Sequence, residues 1–316
     1  MKKILLSILM LCMLLCGCEE KSASVSVTCY PLQYLVERIG GSVVNVTNIS
    51  NNELIQRASI KDNYEDLIEA SDALFYINSL EPYMGIYYDD LHEMTTLVDL
   101  SVRSAIYKFA RYTTTYVNDT AAVVLSNYYD GNEFENIEAY ENDPMLWLDP
   151  VAMTSMASDI RDYFVSAYPQ YQMLFDENYD QLELDLARLD AGFSDIYNQK
   201  QNVSFVSMTP SFGNWQKSYG IHVYPISLSR YGVLPNDQQL ELIKTRIRND
   251  HVRYIAMEDN LSEDMIVLRD QLIDELGLIP IKLSNLSSLS KNESEQKSDY
   301  LSIMYQNLET LRKIAQ

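Results

Sequence analysis

Glycine, histidine and cysteine are scarce in this sequence, with 10, 3 and 4 residues among 316. Loops that bind phosphate groups need clustered glycines, and no such cluster occurs. The histidines, His92, His222 and His251, lie far apart in the chain, so each is expected to pack or to face solvent rather than to bind a metal. The sequence also lacks a pattern that pairs a nucleophile with a base. These absences argue against an enzyme.

Basic residues are also few, with 24 Lys and Arg against 45 Asp and Glu and a formal net charge of −21. An acidic surface repels nucleic acid and anionic lipid headgroups, so neither is expected as a partner. Residues 130–143 are locally acidic and contain a glycine, and they are predicted to form a solvated loop. A second exposed loop is predicted for residues 284–296, which are rich in serine and asparagine.

No apolar run reaches the roughly 20 residues that a membrane-spanning helix needs. The run from Ile4 to Leu15 follows two lysines and precedes small residues, which is typical of a secretory signal. Leu15-Cys16-Gly17-Cys18 resembles a bacterial lipobox, which predicts that residues 1–17 are a lipoprotein signal peptide and that Cys18 is lipidated. A plain signal peptide is the alternative. The lipobox predicts an exported protein that a lipid anchor holds at the bacterial cell membrane, facing outside the cytoplasm.

Short apolar runs alternate with helical patterns along the chain, which predicts an α/β fold. Strands are predicted at residues 25–29, 43–48, 73–78, 96–100, 121–125, 203–207, 221–226, 254–257 and 278–282. Helices are predicted at residues 31–39, 63–70, 82–93, 216–219, 237–248, 263–276 and 298–314. The same theme in both halves predicts two similar lobes, each with a mostly parallel sheet flanked by helices.

A long helix is predicted between the two halves. Apolar residues from Phe175 to Ile196 recur at alternating steps of four and three, which places them on one helix face. The pattern extends over residues 170–199, so a helix there would reach from one lobe to the other. The predicted domains are an N-terminal lobe at 18–169, this linker helix at 170–199, and a C-terminal lobe at 200–316. An ordinary helix of one domain is the alternative.

Six sets of segments occur in the order found in a known family. They are Tyr30-Pro31-Leu32 with Ile39-Gly40-Gly41, Ser71–Phe75 with Leu80–Tyr83, Asp143–Pro150, Ser211–Gly213 with Tyr219-Gly220, Tyr254–Glu258, and Tyr300-Leu301 with Asn307–Leu311. On these segments the chain resembles the zinc/manganese solute-binding lipoproteins of bacterial ABC importers. The resemblance implies two α/β lobes, a rigid linking helix, and a metal ion held between the lobes by three histidines plus one carboxylate or a fourth histidine.

The resemblance also locates the metal ligands of the family, and no position retains a standard ligand. Three histidines and one carboxylate correspond here to Gln56, Met145, Thr209 (or Met208 if the loop shifts by one) and Asn285 (or Ser284). Met145 is the best-anchored match, because Trp147-Leu148-Asp149-Pro150 fixes its register. Zinc prefers imidazole, thiolate or carboxylate ligands. A tight zinc or manganese site at these positions is therefore not expected.

Two other kinds of ligand fit the substituted positions. Met145, Met208 and Cys29 form a soft set suited to Cu(I), although methionine and cysteine are also common core residues. Aromatic and neutral polar side chains suit a cleft for a small organic solute instead. The candidate cleft residues are Cys29, Tyr30, Gln56, Trp147, Thr209, Met208, Trp215, Glu258 and Asn285. The bound metal, if any, stays open among Zn, Mn and Cu(I).

The sequence therefore favours an extracytoplasmic solute-binding lipoprotein that resembles the substrate-binding subunit of a zinc/manganese ABC importer. It would bind a small ligand or metal ion between its lobes, at a diverged or lost metal site, and deliver it to an ABC permease in the membrane. The alternative is a surface-exposed accessory lipoprotein that has kept the fold and interacts with other molecules without transport.

Overall fold

The computed structural model describes residues 23–51, 54–78, 80–117, 120–199 and 202–315. The predicted signal peptide and Cys18 lie outside these residues. In chain order, the first lobe contains β1 (Ala23–Val27), α1 (Tyr30–Gly40), β2 (Val44–Asn48), α2 (Tyr64–Glu69), β3 (Ala73–Tyr76), α3 (Met84–Met94), β4 (Thr96–Asp99), β5 (Arg111–Val117) and β6 (Thr120–Ser126). Its main sheet has the order β2-β1-β3-β4, and all three strand pairs are parallel.

Two helices follow the first lobe, α4 (Pro150–Ala167) and α5 (Gln172–Asn198). The second lobe contains β7 (Ser204–Ser207), α6 (Asn214–Tyr219), β8 (His222–Pro225), α7 (Asp237–Asn249), β9 (Tyr254–Met257), α8 (Glu263–Leu276), β10 (Ile279–Lys282), α9 (Lys291–Glu295) and α10 (Tyr300–Ile314). Its sheet is also parallel, with the order β10-β9-β7-β8. The predicted class, two parallel-sheet lobes with a long helix, is confirmed.

Local sequence explains where several of these elements begin and end. Pro31 occupies the first turn of α1, where its missing N–H group costs nothing. Asp149 caps α4, because its carboxylate accepts from the backbone N–H groups of Val151 and Ala152. All four residues of β3 are buried, as expected for a central parallel strand covered on both faces. The expected strand and helix types therefore agree with the structure, with shifts at the ends.

The helix α5 spans 27 residues, or about 40 Å at 1.5 Å per residue. The predicted stripe is confirmed, since its buried residues are Phe175, Leu182, Leu186, Leu189, Phe193 and Ile196. Near its start, Asn178 donates to the carbonyl of Ile39 in the first lobe. Further along, Asp190 accepts a hydrogen bond from Tyr219 in the second lobe. The helix thus contacts both lobes, while the exact domain boundaries stay a prediction.

The strand predicted at residues 121–125 is confirmed as β6, which pairs antiparallel with β5 in a separate two-stranded sheet; β5 was not predicted. One sequence expectation is wrong. Residues 284–288 are buried rather than exposed, because the serine and asparagine side chains there bond inside the protein. The acidic loop is largely as predicted, with Tyr140 and Asp143 as its buried exceptions.

No helix among the described residues combines the length and the apolar character needed to cross a bilayer.

We expect Leu186→Ala to lower the free energy of unfolding by about 2–5 kcal/mol, because it leaves a cavity beneath α5. Leu184→Ala is the matched control: its side chain is 54% exposed on the same helix, so its effect should stay below about 0.5 kcal/mol. Urea denaturation followed by circular dichroism measures both. Equal losses would contradict the assignment of the buried face.

Candidate functional site

The segment Asp143–Pro150 runs through the interior between the two lobes. The Asp143 carboxylate accepts from the backbone N–H of Met145 at 2.9 Å, which fixes the turn before the short helix Leu146–Leu148. At the other end, the Asp149 carboxylate accepts from the Ser218 hydroxyl at 2.6 Å as well as capping α4. All eight residues of the segment are buried. The segment is therefore a fixed part of the protein interior, and we refer to Asp143–Pro150 as the wedge.

Besides the bond from Ser218 to Asp149, four side-chain hydrogen bonds join this segment to the second lobe. They are Trp147 Nε1 to the Asn285 carbonyl at 2.8 Å, the Tyr300 hydroxyl to the Trp147 carbonyl at 2.6 Å, Asn214 Nδ2 to the Met145 carbonyl at 3.0 Å, and Trp215 Nε1 to the Leu148 carbonyl at 2.8 Å. Both indoles are completely buried, and Trp215 packs against Phe193 and Phe212. The two tryptophans thus fill the core and fix the wedge instead of lining an open cleft.

Glu258 follows β9 at the carboxyl edge of the second sheet, and its carboxylate is buried. One oxygen accepts from the backbone N–H groups of Met208, at 2.8 Å, and Thr209, at 3.3 Å. The other accepts from the Thr209 hydroxyl and from Asn285 Nδ2, the latter at 2.9 Å. Burial raises the pKa of Glu258, and these four donors oppose that effect. The structure therefore brings together three predicted site residues, Thr209, Asn285 and Glu258.

Asn285 is held in this network from two further directions. Its side-chain oxygen accepts from Asn260 at 2.9 Å and from the backbone N–H of Ser287 at 3.1 Å. The Asn260 side chain also bonds the Ser287 hydroxyl. Each oxygen of Glu258 already accepts two donors, so binding a cation there would require breaking these bonds. With Thr209 and Asn285 both bonded to Glu258, this network does not fit a transition metal.

Gln56 lies in the short helix Ile55–Arg57 of the first lobe and is 1% exposed. Neither its amide oxygen nor its amide nitrogen has a hydrogen-bond partner. Its neighbour Arg57 crosses to the second lobe, where it donates to the Gly232 carbonyl at 2.6 Å and to Asp264 at 2.9 Å. The guanidinium holds the pKa of Asp264 far below its usual range. Gln56 therefore sits where the lobes meet.

The remaining candidates are distributed differently. Tyr30 is half-buried and lines a groove with Glu37 and Asp299, and Glu258 is not among the residues of that groove. Cys29 and Met145 are buried in one large core, whereas Met208 packs in the core of the second lobe. The soft Cu(I) set of Cys29, Met145 and Met208 is thus divided between two cores, and its metal binding remains a prediction.

The histidines lie apart in space as well as in sequence. His92 stacks on Tyr88, His251 is exposed, and burial lowers the pKa of His222. Within the described ranges, no three side chains of histidine, cysteine, aspartate or glutamate are grouped closely enough to hold a metal ion. Any cation site in this part of the protein must therefore use other oxygen ligands as well.

A groove of about 220 Å³ opens where the lobes meet. Its lining includes Ile77 of the first lobe, Tyr140, Pro144 and Leu146 of the middle segment, and Arg230 of the second lobe. The Tyr140 hydroxyl donates to the Leu80 carbonyl at 3.0 Å. The groove therefore leads from the surface to Pro144 and Leu146 of the wedge.

Two parallel-sheet lobes, a linking helix and a buried polar site between the lobes define a two-lobe solute-binding protein. The family model for the zinc-uptake complex component A, periplasmic (ZnuA), matches residues 25–314. The chain belongs to this family, which is a family of transport proteins.

Curated relatives match about half of the chain. The zinc-binding protein AdcA of Streptococcus pyogenes is 28% identical over 170 residues, which are 54% of this chain and 32% of that protein. The high-affinity zinc uptake system protein ZnuA of Bacillus subtilis is 27% identical over 170 residues, 54% of this chain and 52% of that protein. The match thus spans about a third to a half of the length of these relatives.

Solved structures share the fold over most of the chain. The metal-dependent lipoprotein YcdH of Bacillus subtilis has a TM-score of 0.69 at 20% identity, covering 93% of this chain and 100% of that chain. The periplasmic zinc-binding protein TroA of Treponema pallidum has a TM-score of 0.72 at 14% identity, covering 93% of this chain and 99% of that chain. At these identities the likeness establishes the fold alone.

Sequence reasoning missed two acidic residues near the site. Asp143 and Glu81 are both buried, and burial raises the pKa of each to about 7. Both stand inside segments that carry the family resemblance, Asp143–Pro150 and Leu80–Tyr83. Their position inside these segments could have predicted their burial, because an acidic residue among buried apolar neighbours is itself expected to be buried.

We expect Glu258→Gln to lower the free energy of unfolding by about 2–4 kcal/mol. Glutamine replaces one carboxylate oxygen by an NH₂ group, which cannot accept hydrogen bonds. Two of the four groups that donate to Glu258 would then lose their acceptor. Glu263→Gln is the control, because Glu263 is exposed in the first turn of α8 and should change stability by less than about 0.5 kcal/mol. Chemical denaturation at neutral pH compares the two, and a neutral effect of Glu258→Gln would rule out the hydrogen-bonded carboxylate.

We expect stability to fall as the pH rises from about 4 to 8. The pKa of Asp143 is about 7 in the folded protein and near 4 when unfolded, so the folded state binds more protons between these values. Its contribution is complete at low pH and is lost as the pH rises through 7. Asp143→Asn should therefore flatten the decline by up to about 4 kcal/mol. Unfolding curves of metal-stripped protein at several pH values test this, and an unchanged slope would contradict it.

Proposed function

We propose that this protein is the extracytoplasmic solute-binding component of an ABC importer, anchored by lipid at Cys18, that captures its solute between the lobes and delivers it to a membrane permease. The observation that carries the proposal is the buried polar site where the carboxyl edges of the two sheets meet. Loops at the carboxyl edges of parallel sheets are the usual place for ligands in such folds.

The contacts between the lobes support a closing mechanism. Arg57 of the first lobe reaches Gly232 and Asp264, and the Tyr140 hydroxyl lies between the carbonyls of Leu80 and Arg230. The Arg57–Asp264 pair is partly exposed, so its contribution is about 1 kcal/mol or less. Weak contacts of this kind allow the lobes to separate and close again, and the groove beside Tyr140 offers the way in.

The solute is not held by the histidine and carboxylate ligands that the family resemblance implies. Thr209 and Asn285 at two of those positions bind the Glu258 carboxylate instead, which leaves it no free oxygen lone pair directed at a ligand. Met145 at a third position is packed in the core. The second lobe therefore contributes a rigid wall, and recognition falls to the first lobe, where Gln56 retains unpaired hydrogen-bonding groups.

The relatives favour a metal ion as the solute, because their names describe zinc binding and zinc uptake. Thr209, Asn285 and Met145 are not the side chains that zinc prefers, so the solute of this protein would be held by other residues. A protein that has kept these lobes for interaction alone, without transport, would bind no solute between them.

We expect protein isolated from its native envelope to release a bound solute when it is unfolded in guanidinium. Metals and small molecules in the released fraction are identified by elemental and organic mass spectrometry. Adding the identified solute to refolded protein at 100 times its Kd should stabilise it by about 2.7 kcal/mol. Cells that lack the gene should accumulate less of that solute. Release of no solute, with unchanged accumulation, would favour the accessory role.

A further inference from the structure

A cavity of about 500 Å³ shares no lining residue with the wedge, with the Glu258 network or with Gln56. Its walls come from the hairpin of β5 and β6, the end of α5, the helix α6 and the start of β8. Small-molecule sites in proteins usually have volumes of about 300–1,000 Å³. The cavity is therefore large enough for a small organic molecule.

Two buried polar atoms of the lining residues have no hydrogen-bond partner within the described part of the chain. They are the amide oxygen of Gln216 and Nδ1 of His222. Gln216 is 3% exposed, and its amide nitrogen donates to the Tyr128 hydroxyl at 3.0 Å. That bond holds the amide in place and leaves its oxygen as an acceptor without a donor. Because buried polar atoms are rarely unpaired, both atoms indicate a ligand that supplies their partners.

His222 adds a second acceptor. Burial lowers the pKa of its imidazole, so the ring is neutral at pH 7. In a neutral imidazole one nitrogen carries the proton and the other accepts a hydrogen bond. With Nε2 protonated, Nδ1 accepts as the Gln216 oxygen does. Two acceptors in one lining suit a ligand group with several N–H or O–H bonds.

The charge of the lining favours an anion. Of the residues that line the cavity, all of them in the described ranges, Lys217 is basic and none is acidic. The Lys217 ammonium lies 5.7 Å from the centre of the Tyr107 ring, a contact with the ring face that leaves N–H donors for another partner. The whole chain has a formal net charge of −21. A cavity with a cation and no acid therefore stands out as a place for a negatively charged group.

Three tyrosines supply the less polar part of the lining, Tyr112, Tyr197 and Tyr219. The Tyr112 hydroxyl donates to the Lys108 carbonyl at 2.9 Å, and the Tyr219 hydroxyl donates to Asp190 at 2.8 Å. These two side chains thus offer rings and no free proton.

Gly220 lets the third ring form its wall. A Cβ atom at Gly220 would lie 2.9 Å from Cδ2 of Tyr197, and the φ of Gly220 is +65°. Both the close approach and the left-handed backbone require glycine. The Tyr197 ring therefore rests directly on the backbone that ends α6.

We propose that this cavity binds a small organic carboxylate that carries an amino or hydroxyl group beside it, the chemistry shared by α-amino acids and α-hydroxy acids. The Lys217 ammonium binds the carboxylate. The Gln216 oxygen and His222 Nδ1 accept hydrogen bonds from the amino or hydroxyl group. The rings of Tyr112 and Tyr197 contact the apolar part of the ligand.

This site is separate from the one proposed between the lobes, and neither depends on the other. Its link to that region is α6, where Asn214 and Trp215 donate to carbonyls of the wedge and the next two residues, Gln216 and Lys217, line the cavity. A ligand that binds only the folded protein stabilises it, so binding here is measurable as a rise in the unfolding temperature.

The test is thermal denaturation of purified, exhaustively dialysed protein with the standard amino acids and with lactate and malate, each at millimolar concentration, followed by calorimetric titration. We expect at least one of these carboxylates to raise the unfolding temperature and to bind one per chain. Lys217→Met should weaken that binding by about 10-fold or more. Lys291→Met is the matched control, because the Lys291 side chain is 91% exposed in α9 and does not line the cavity, and it should leave binding unchanged.

A measurement on the wild type keeps the proposal testable if Lys217→Met does not fold. The nitrogen resonance of His222 Nδ1, assigned with His222→Gln, should shift on titration because the atom gains a donor. Binding of the amino acids alone identifies an ammonium as the donor, and binding of the hydroxy acids alone identifies a hydroxyl. Absence of binding by every carboxylate tested, equal binding of the corresponding methyl esters, or binding that neither weakens in Lys217→Met nor moves the His222 resonance would overturn the site.

Discussion

The cost of burying a carboxylate away from water governs the region where the two lobes meet. Glu258, Asp143 and Glu81 are all buried there, and burial raises the pKa of each. They differ in the number of hydrogen bonds that stabilise the carboxylate. Glu258 accepts four and Asp143 accepts one from Met145, whereas the oxygens of Glu81 are without a partner. On the second lobe the buried charge is therefore fully hydrogen-bonded, whereas on the first lobe Gln56 and Glu81 keep polar atoms without partners.

The wedge Asp143–Pro150 explains how such a region is held together. Its backbone carbonyls at Met145, Trp147 and Leu148 accept from side chains of the second lobe, while Trp147 donates to Asn285. The same segment that identifies the family therefore positions the loop that carries Asn285. These contacts use the backbone and the indole, so they do not depend on which side chain stands at residue 145.

Much of the fold was predictable because parallel strands and amphipathic helices repeat short apolar patterns. The strand and helix positions of both lobes and the stripe along α5 followed from that periodicity. The hairpin of β5 and β6 was only half foreseen, since its pairing is antiparallel and its exposed residues give β5 no regular apolar signal. The serine- and asparagine-rich loop was misjudged because polar side chains can be buried when they bond one another, as Asn285, Asn260 and Ser287 do.

The sequence by itself determined the class of protein and the absence of histidines at Gln56, Met145 and Thr209, since both follow from residue identity and order. Only the tertiary structure decided which polar groups find partners. Thr209, Glu258 and Asn285 come from three loops and meet in one saturated network, whereas Thr28, Gln56 and Glu81 come from three other loops and stay unpaired. Pairing depends on distances between residues remote in the chain, and these are set by the packing of the two sheets and not by any local pattern.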